Sequence, residues 1–430
     1  MNYPEALEAL SAREPQTIRP GLDRILAILA ALGNPEERFK IVHVAGTNGK
    51  GSVSAMVAAI LEAAGFRVGL YTSPHLSSVR ERIRVNRRPI SESEFARGIE
   101  RLAPLIRLHQ PTYFETLTAL GLDHFASQGV DWAVLEVGMG GRWDATSVGR
   151  PLVSVITPID FDHQAYLGWR LEEIAGEKAA IIRSGVAVSA TQAGAVAAVL
   201  EARARDAGVP LLTEERELHV SVRKQNLDGF RLDLRGRDWA LTDCFVPLLG
   251  VFQPRNALLA VGAVGALRTQ GFALPDGAIR EGLGSVRWPG RFQPLEREPW
   301  LIVDSAHNPA GARALADSLK GYFPESQPTL ILGIYKDKDK GEILEILAPL
   351  ATRLILTTSR NPRAASPMEL GGMLPNTQAE VHVISNISDS LSFALAQGRT
   401  AVTCVAGSLS LVAEAIEWFR GEGGDIPCEI

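Results

Sequence analysis

Short apolar runs alternate with helical patterns along the first half of the chain. Ile41–Ala45, Arg67–Tyr71, Trp132–Val137 and Leu152–Ile156 are β-rich runs of five or six residues. Between them, Leu22–Leu32, Val53–Ala64, Phe114–Ala126 and Leu171–Ile182 carry apolar residues at helical spacing. Ser91 followed by Glu94 is a capping pattern that opens one more helix, and Glu81–Asn86 alternates charged and apolar residues. Strands alternating with helices predict a mostly parallel sheet covered on both faces. In such sheets ligands bind at the carboxyl ends of the strands. Each run here ends in an unusual polar cluster: Gly46–Ser52, Thr72–His75, Gly138–Arg142 and Thr157–His163.

The texture then changes. Glu215–Trp239 holds short, charged β-like segments, Leu218–Val222 and Phe230–Leu234 among them, and Leu248–Leu267 returns to a glycine loop and an alanine-rich helix. Trp288-Pro289-Gly290-Arg291 reads as a boundary. Beyond it Trp300–Val303, Thr329–Ile334, Leu354–Thr358, Glu380–Ile384 and Ala401–Ala406 are apolar runs, with a helix over Ala310–Leu319. The expected fold is α/β: a larger N-terminal domain, residues 1–290, on a P-loop-type, mostly parallel sheet, and a smaller Rossmann-like α/β domain, residues 291–430. No internal repeat or low-complexity tract interrupts this order.

Composition narrows the functional classes. The chain has 430 residues, 46% hydrophobic and 22% charged, with net charge −5 and pI near 6.0. That balance points away from nucleic acid and from membrane surfaces. Cys244, Cys404 and Cys428 are scattered and fit neither a zinc site nor a disulfide framework. The first ten residues carry two glutamates and no basic stretch before an apolar core, unlike a secretory signal. No apolar run approaches the ~18 residues of a membrane span. The expected location is the cytoplasm, and the expected partners are small molecules acting on a monomer.

The chemistry begins at Gly46-Thr47-Asn48-Gly49-Lys50-Gly51-Ser52, between a strand and a helix. Glycines let backbone N–H groups approach an anion, and the helix N-terminus adds positive dipole. Lys50 would reach the β/γ-phosphates of a nucleotide, with Ser52 near a Mg²⁺. The loop departs from G-x-x-x-x-G-K-[ST]: Val44 stands at the first glycine, and Gly51 separates Lys50 from Ser52. Glu136 is an acid in an apolar strand, so it is either paired or a metal ligand. Ser73 offers a hydroxyl at another strand end. His163 is a third metal candidate, though imidazole is unusual on Mg²⁺ and a capping role is the plainer reading. Asp304 fits a helix cap, a ribose or a metal, and His307 shares its loop. Arg291 fits a phosphate clamp or an ordinary exposed arginine.

Together these segments resemble the folylpolyglutamate synthase/dihydrofolate synthase family of the Mur ligase superfamily. The matching strings are AGTNGKGS (45–52), TSPHL (72–76), ERIRV (81–85), TYFE (112–115), EVGMGGRWDAT (136–146), DHQAYLG (162–168), EIAGEKAAII (173–182), PGRF (289–292) and DSAHNP (304–309). Their order holds from Gly21 to about Glu414. The resemblance implies that Asn48, Gly49, Lys50, Gly51 and Ser52 bind the ATP phosphates, that Ser73, Glu136 and His163 hold Mg²⁺, and that Lys178 is carbamylated. Lys50, Lys178, His163 and Glu136 form the implied catalytic set. Asn256, Arg291 and Asp304 complete the ATP site. Thr112, Tyr113, Phe114, Glu115, Trp143, Asp144 and Ala145 match pterin-binding segments, and His307 and Ser408 face the incoming glutamate. Ser305 stands where glycine is usual, and Ser410 replaces a common aromatic. The implied reaction ligates L-glutamate to dihydropteroate, to the glutamate tail of tetrahydrofolate, or to both, through an acyl phosphate, with domain closure over the site. A Mur-type cell-wall ligase and a P-loop ATPase or switch module are the alternatives. The former usually has a further N-terminal domain; the latter leaves Lys178, Arg291 and Asp304–Pro309 without a role.

Overall fold

The computed structural model describes residues 1–12, 19–396 and 402–421. Its first sheet is built on β1 (Lys40–Ala45), β2 (Val68–Tyr71), β3 (Ile83–Val85), β4 (Arg88–Pro89), β5 (Trp132–Glu136), β6 (Pro151–Ile156), β7 (Val186–Ser189) and β8 (Leu211–Thr213). The strand order is β4-β3-β2-β5-β1-β6-β7-β8. The six strands from β2 to β8 run parallel, and β3 and β4 add an antiparallel edge. Chain order places β2 and β5 on one side of β1 and β6 on the other. The carboxyl ends of these four neighbouring strands therefore open onto one crevice. In register, Val44 faces Glu136 and Ala45 faces Ile156.

The first helix after β1, Lys50–Ala63, is buried at every residue from Gly51 to Leu61. Its alanine-rich sequence explains this. Small side chains let it pack against the sheet and against two further helices, Gln253–Thr269 and Asp276–Ser285. At Gly282 a Cβ would stand 2.4 Å from the Cα of Ile60, so the helices touch backbone to backbone. An antiparallel sheet of β9 (His219–Asn226), β10 (Gly229–Gly236) and β11 (Trp239–Val246) covers this group. Phe230, Leu232 and Leu234 point inward at the two-residue period of a strand and share one core with Val42, Met56 and Leu259. The charged segments over 215–239 are thus the outer face of a sheet whose third strand the sequence pattern did not mark.

The second body begins after the buried turn at Gly290. Its sheet contains β12 (Gln293–Arg297), β13 (Trp300–Asp304), β14 (Thr329–Leu332), β15 (Arg353–Leu356), β16 (Glu380–Val383) and β17 (Val402–Ala406), ordered β12-β13-β17-β14-β15-β16. All pairs are parallel except β12 with β13. Helices Pro309–Tyr322 and Leu409–Arg420 pack on its two faces, in separate clusters. Ala401 and Cys428 lie outside the described residues; Cys244 and Cys404 are buried free thiols. Among the described residues no helix is long and apolar enough to cross a membrane.

Candidate functional site

Gly46 to Lys50 form the turn between β1 and its helix. Gly46 has φ +144°, and a Cβ there would meet Thr157 Oγ1 at 1.9 Å and the Thr157 carbonyl oxygen at 2.9 Å. Both the backbone angle and the space demand glycine. Gly46→Ala is therefore expected to cost ~2–4 kcal/mol of stability, measured as a drop in denaturant midpoint at unchanged m; a shift within error would show the turn to be more forgiving. Gly51, the extra residue in the loop, has a different reason. It is helical, and a Cβ would stand 2.7 Å from the Trp288 ring. The inserted glycine admits an aromatic from the linker.

Lys50 Nζ donates to the carbonyls of Gly46 (3.1 Å) and Thr47 (3.0 Å). Burial lowers its pKa, opposed by the carboxylates of Glu136 and Asp162. Gln253 and Asn256 support the loop from behind: Asn256 Nδ2 donates to Gln253 Oε1 (3.0 Å), and Gln253 Nε2 to Ser52 Oγ (3.5 Å). Both side chains are buried. Asn256 Oδ1 also lies 2.6 Å from where a Cβ of Gly49 would sit, so the asparagine abuts the phosphate loop.

Glu136 ends β5, 4% exposed. Its Oε2 accepts from the Ser73 backbone N–H (3.0 Å), which joins the ends of β5 and β2. Its other oxygen has no hydrogen-bond partner among the described residues. Burial raises its pKa, while Lys50 and Arg291 pull the other way. An acid so placed, with one oxygen uncommitted beside a cluster of cations, fits a divalent cation's ligand. No three His, Cys, Asp or Glu side chains converge among the described residues, so a cation here would take much of its shell from hydroxyl, phosphate and water oxygens.

His163 has left-handed φ +51° and stands at the N-terminus of the short helix Gln164–Leu167 without capping it through its side chain. Although its side chain is 37% exposed, its pKa falls to about 4, through desolvation and the nearby lysines Lys338, Lys50 and Lys178, with Asp162 opposing. At neutral pH the ring is uncharged and keeps a lone pair. Lys178, on the helix Leu171–Ala179, is 4% exposed and donates to the Gly46 carbonyl at 2.8 Å. No carboxylate lies within ion-pair distance among the described residues. Burial, then the Lys50 charge, lowers its pKa to about 7. Lys178 thus sits buried under the phosphate loop, not in solvent.

The second body reaches across the crevice. Asn48 and Asn308 exchange side-chain amide hydrogen bonds (3.1 and 3.2 Å), and Asn308 Nδ2 donates to Asp162 Oδ2 at 3.1 Å. Asp162 also takes Lys338 Nζ at 2.5 Å and lies 3.8 Å from His307 Nε2. Burial would raise its pKa, but His307, His163 and Lys338 outweigh that and hold it far below the usual range. Lys338, in the run Asp337-Lys338-Asp339-Lys340, reads from sequence as a solvated charge; only the tertiary structure buries it at the crevice. Asp304 is buried, with both oxygens on backbone amides, Phe292 N and Ala306 N, each at 2.7 Å. It ties the linker to its own loop beside Arg291. The cap of the helix Pro309–Tyr322 is Asn308, which accepts from Gly311 N, rather than Asp304. Ser408 caps the helix Leu409–Arg420. Arg291 is half-buried; burial lowers its pKa, opposed by the charges of Asp304 and Glu136.

The segments matched to pterin binding flank β5. Thr112 and Glu115 form a reciprocal capping box, and Glu115 also pairs with Arg24 at 3.1 Å. Tyr113 lies against the Arg82 guanidinium (5.7 Å), and Phe114 packs edge-on to Tyr71. Asp144 accepts from Met139 N (2.9 Å) and from Thr146 N and Oγ1, which pins the Gly138–Arg142 loop. Thr146 in turn meets His43, buried and held neutral with a pKa near 3 by desolvation and Arg183. Ala145 is buried, while Trp143 stays 54% exposed at the rim.

This crevice, lined from two sheets, has counterparts in known proteins. The Mur ligase middle domain matches residues 44–264, and the Mur ligase glutamate ligase domain matches residues 290–409. The folylpolyglutamate synthase of Lacticaseibacillus casei is 36% identical over 98% of this chain and 99% of its own length. The chain belongs to the folylpolyglutamate synthase/dihydrofolate synthase family of Mur ligases. A second family member, the dihydrofolate synthase/folylpolyglutamate synthase of Mycobacterium tuberculosis, is 39% identical over 83% of this chain and 78% of its own. The structure of the M. tuberculosis folylpolyglutamate synthase complexed with ADP superposes with a TM-score of 0.90, at 35% identity, covering 98% of both chains. Within this chain the extra glycine of the loop, Gly51, belongs with Trp288 of the linker, whose ring fills the space a side chain would need.

Proposed function

We propose that this chain ligates L-glutamate, at the expense of ATP, to dihydropteroate and to the glutamate tail of reduced folates. It would act as a monomer in the cytoplasm, with residues 1–290 holding the nucleotide and pterin and 291–430 presenting glutamate. The observation that carries this is the crevice itself. The phosphate loop, an uncommitted buried carboxylate at Glu136 and a buried Lys178 meet the Asp304–Pro309 loop across the Asn48–Asn308 contact. A pure ATPase needs no second body at that point.

The substrate carboxylate attacks the γ-phosphorus of ATP, giving an acyl phosphate and ADP. The glutamate amine then attacks the acyl carbon, and inorganic phosphate leaves as the amide forms. The protein's part is positioning and charge stabilisation. Asn48, Gly49, Gly51 and Ser52 cradle the phosphates, Lys50 meets the γ-phosphate, and Arg291 and Asn256 hold the nucleotide. Ser73, Glu136 and His163 are the residues to hold Mg²⁺, which when bound disperses phosphate charge. Lys178 is proposed as a carbamate, supported by its burial and its lack of a carboxylate partner. Thr112, Tyr113, Phe114 and Glu115 with Trp143, Asp144 and Ala145 frame the pterin, while His307 and Ser408 lie on the glutamate side. Asp304 acts by holding Arg291. The crevice between the bodies closes over the acyl phosphate and excludes water.

The test is ADP release with dihydropteroate or tetrahydrofolate, each with and without L-glutamate. Release is expected only when pterin and glutamate are both present. Hydrolysis indifferent to both would favour an ATPase.

A further inference from the structure

Beside the linker lies a cavity of about 470 Å³, within the range of small-molecule sites. Its floor is the Ala55, Ala58 and Ala59 face of the phosphate-loop helix, with Leu248, Leu249 and Trp288 beside it. Leu227 and Asp228 enter from the turn between β9 and β10, and Ile416 and Arg420 from the last helix. A smaller crevice lined by Thr72, Pro74 and Leu409 shares Leu76, Arg84 and Arg291 with it. The cavity therefore shares a wall with a crevice lined by the neighbours of Ser73, Thr72 and Pro74.

Its charge is unbalanced. Glu62 pairs with Arg87 at 2.8 Å, and Asp228 with Arg297 at 2.9 Å. Glu81 takes the backbone N–H groups of Leu76, Ser77 and Ser78 and stands 3.9 Å from Arg84. Every acid on the wall is engaged. Arg287 and Arg420 also line the cavity, and neither has a carboxylate partner among the described residues; Arg291, which feels the charges of Asp304 and Glu136, completes the wall. Guanidinium groups over an apolar floor suit a flexible ligand with methylene stretches and a carboxylate at intervals.

We infer that this cavity is a second subsite, for the γ-linked oligoglutamate tail of the folate substrate; the inference rests on the ligase function proposed above. Each glutamate already added presents one α-carboxylate to the arginines and lays its methylenes on the alanine and leucine floor. The end to be extended stays at the phosphate loop. Walls from the phosphate-loop helix and the last helix mean that a tail spans both bodies, so longer substrates hold the closed arrangement better.

The experiment compares the unaltered enzyme with Arg287→Glu/Arg420→Glu, using tetrahydrofolate with one and with three glutamates. The KM for the triglutamate is expected to rise about tenfold, as for loss of a charge-assisted contact, with product chains shortened. The KM for ATP, kcat with the monoglutamate and Tm should be unchanged. Arg287→Lys/Arg420→Lys should recover part of the loss. Equal rises for both substrates would place the pterin head in the cavity, and no rise for either would leave it without a ligand; each overturns the tail assignment. Absence of ligation in the unaltered enzyme would count against the proposed reaction instead.

Discussion

Replacing Lys50 by alanine is expected to lower kcat for glutamate ligation at least ~10²-fold, the usual cost of deleting one preorganised group that faces charge developing in a transition state. The effect follows from where the ammonium sits. It is held at the mouth of the loop by the Gly46 and Thr47 carbonyls, which fix its position without neutralising it. The carboxylates of Glu136 and Asp162 oppose the lowering of its pKa by burial. An incoming γ-phosphate meets a cation already desolvated and aimed, with little reorganisation left to pay for. Removing it should leave the fold standing. The two carbonyl contacts are worth ~0.5–1.5 kcal/mol each, and the burial cost of the charge is relieved at the same time. The check is kcat at saturating ATP beside Tm: turnover near normal would sink the role of the loop, whereas collapse of Tm would show that Lys50 is structural.

The strand–helix alternation was legible because parallel strands buried on both faces are written as continuous apolar runs, and β1, β2, β5 and β6 all are. The strand ends were legible for the same reason, since Gly46, Ser73 and His163 come after such a run and Glu136 lies at the end of one. The helix Tyr113–Ser127 was legible over Phe114–Ala126 from apolar residues at helical spacing, while its Thr112–Glu115 capping box shows only in the structure. What sequence hid is what depends on distant partners. Lys338 is buried only because Asp162, far earlier in the chain, is there to receive it. Gly51 looked like a blemish until Trp288 filled its space. Asp304 was open to several readings, and its two backbone amides are invisible without the turn at Gly290. The third antiparallel strand, β11, alternates buried and exposed residues around charged positions, so its hydrophobic signal is weak. The 215–239 segment likewise reads as surface until the helix it covers is in place.

Lys178 carries the second large expectation. Carbamate formation requires a neutral amine: the nitrogen lone pair adds to carbon dioxide, one N–H proton is released, and a cation becomes an anion. An ordinary lysine is too strongly protonated for this at neutral pH. Here burial, with Lys50 adding repulsion, brings the pKa to about 7, so most of the amine is free at pH 8. The product anion would face Lys50, which repels the ammonium but attracts a carbamate. Lys178→Ala is expected to lose at least ~10²-fold in kcat, with part returned by short carboxylic acids. Enzyme equilibrated with ¹³C-bicarbonate should give a carbamate resonance that the variant lacks. Activity should decline as pH falls below about 7, where the ammonium form prevails. The unmodified amine also leaves a mark on stability. Its folded pKa lies below its unfolded value, so between about 7 and 10.5 the unfolded chain binds more protons. In carbon-dioxide-free buffer, stability should therefore rise with pH through that window, and the rise should be smaller in Lys178→Met. A fully active Lys178→Ala enzyme would remove the carbamate from the mechanism, and an unchanged pH–stability slope in Lys178→Met would show that the amine is not held neutral at all.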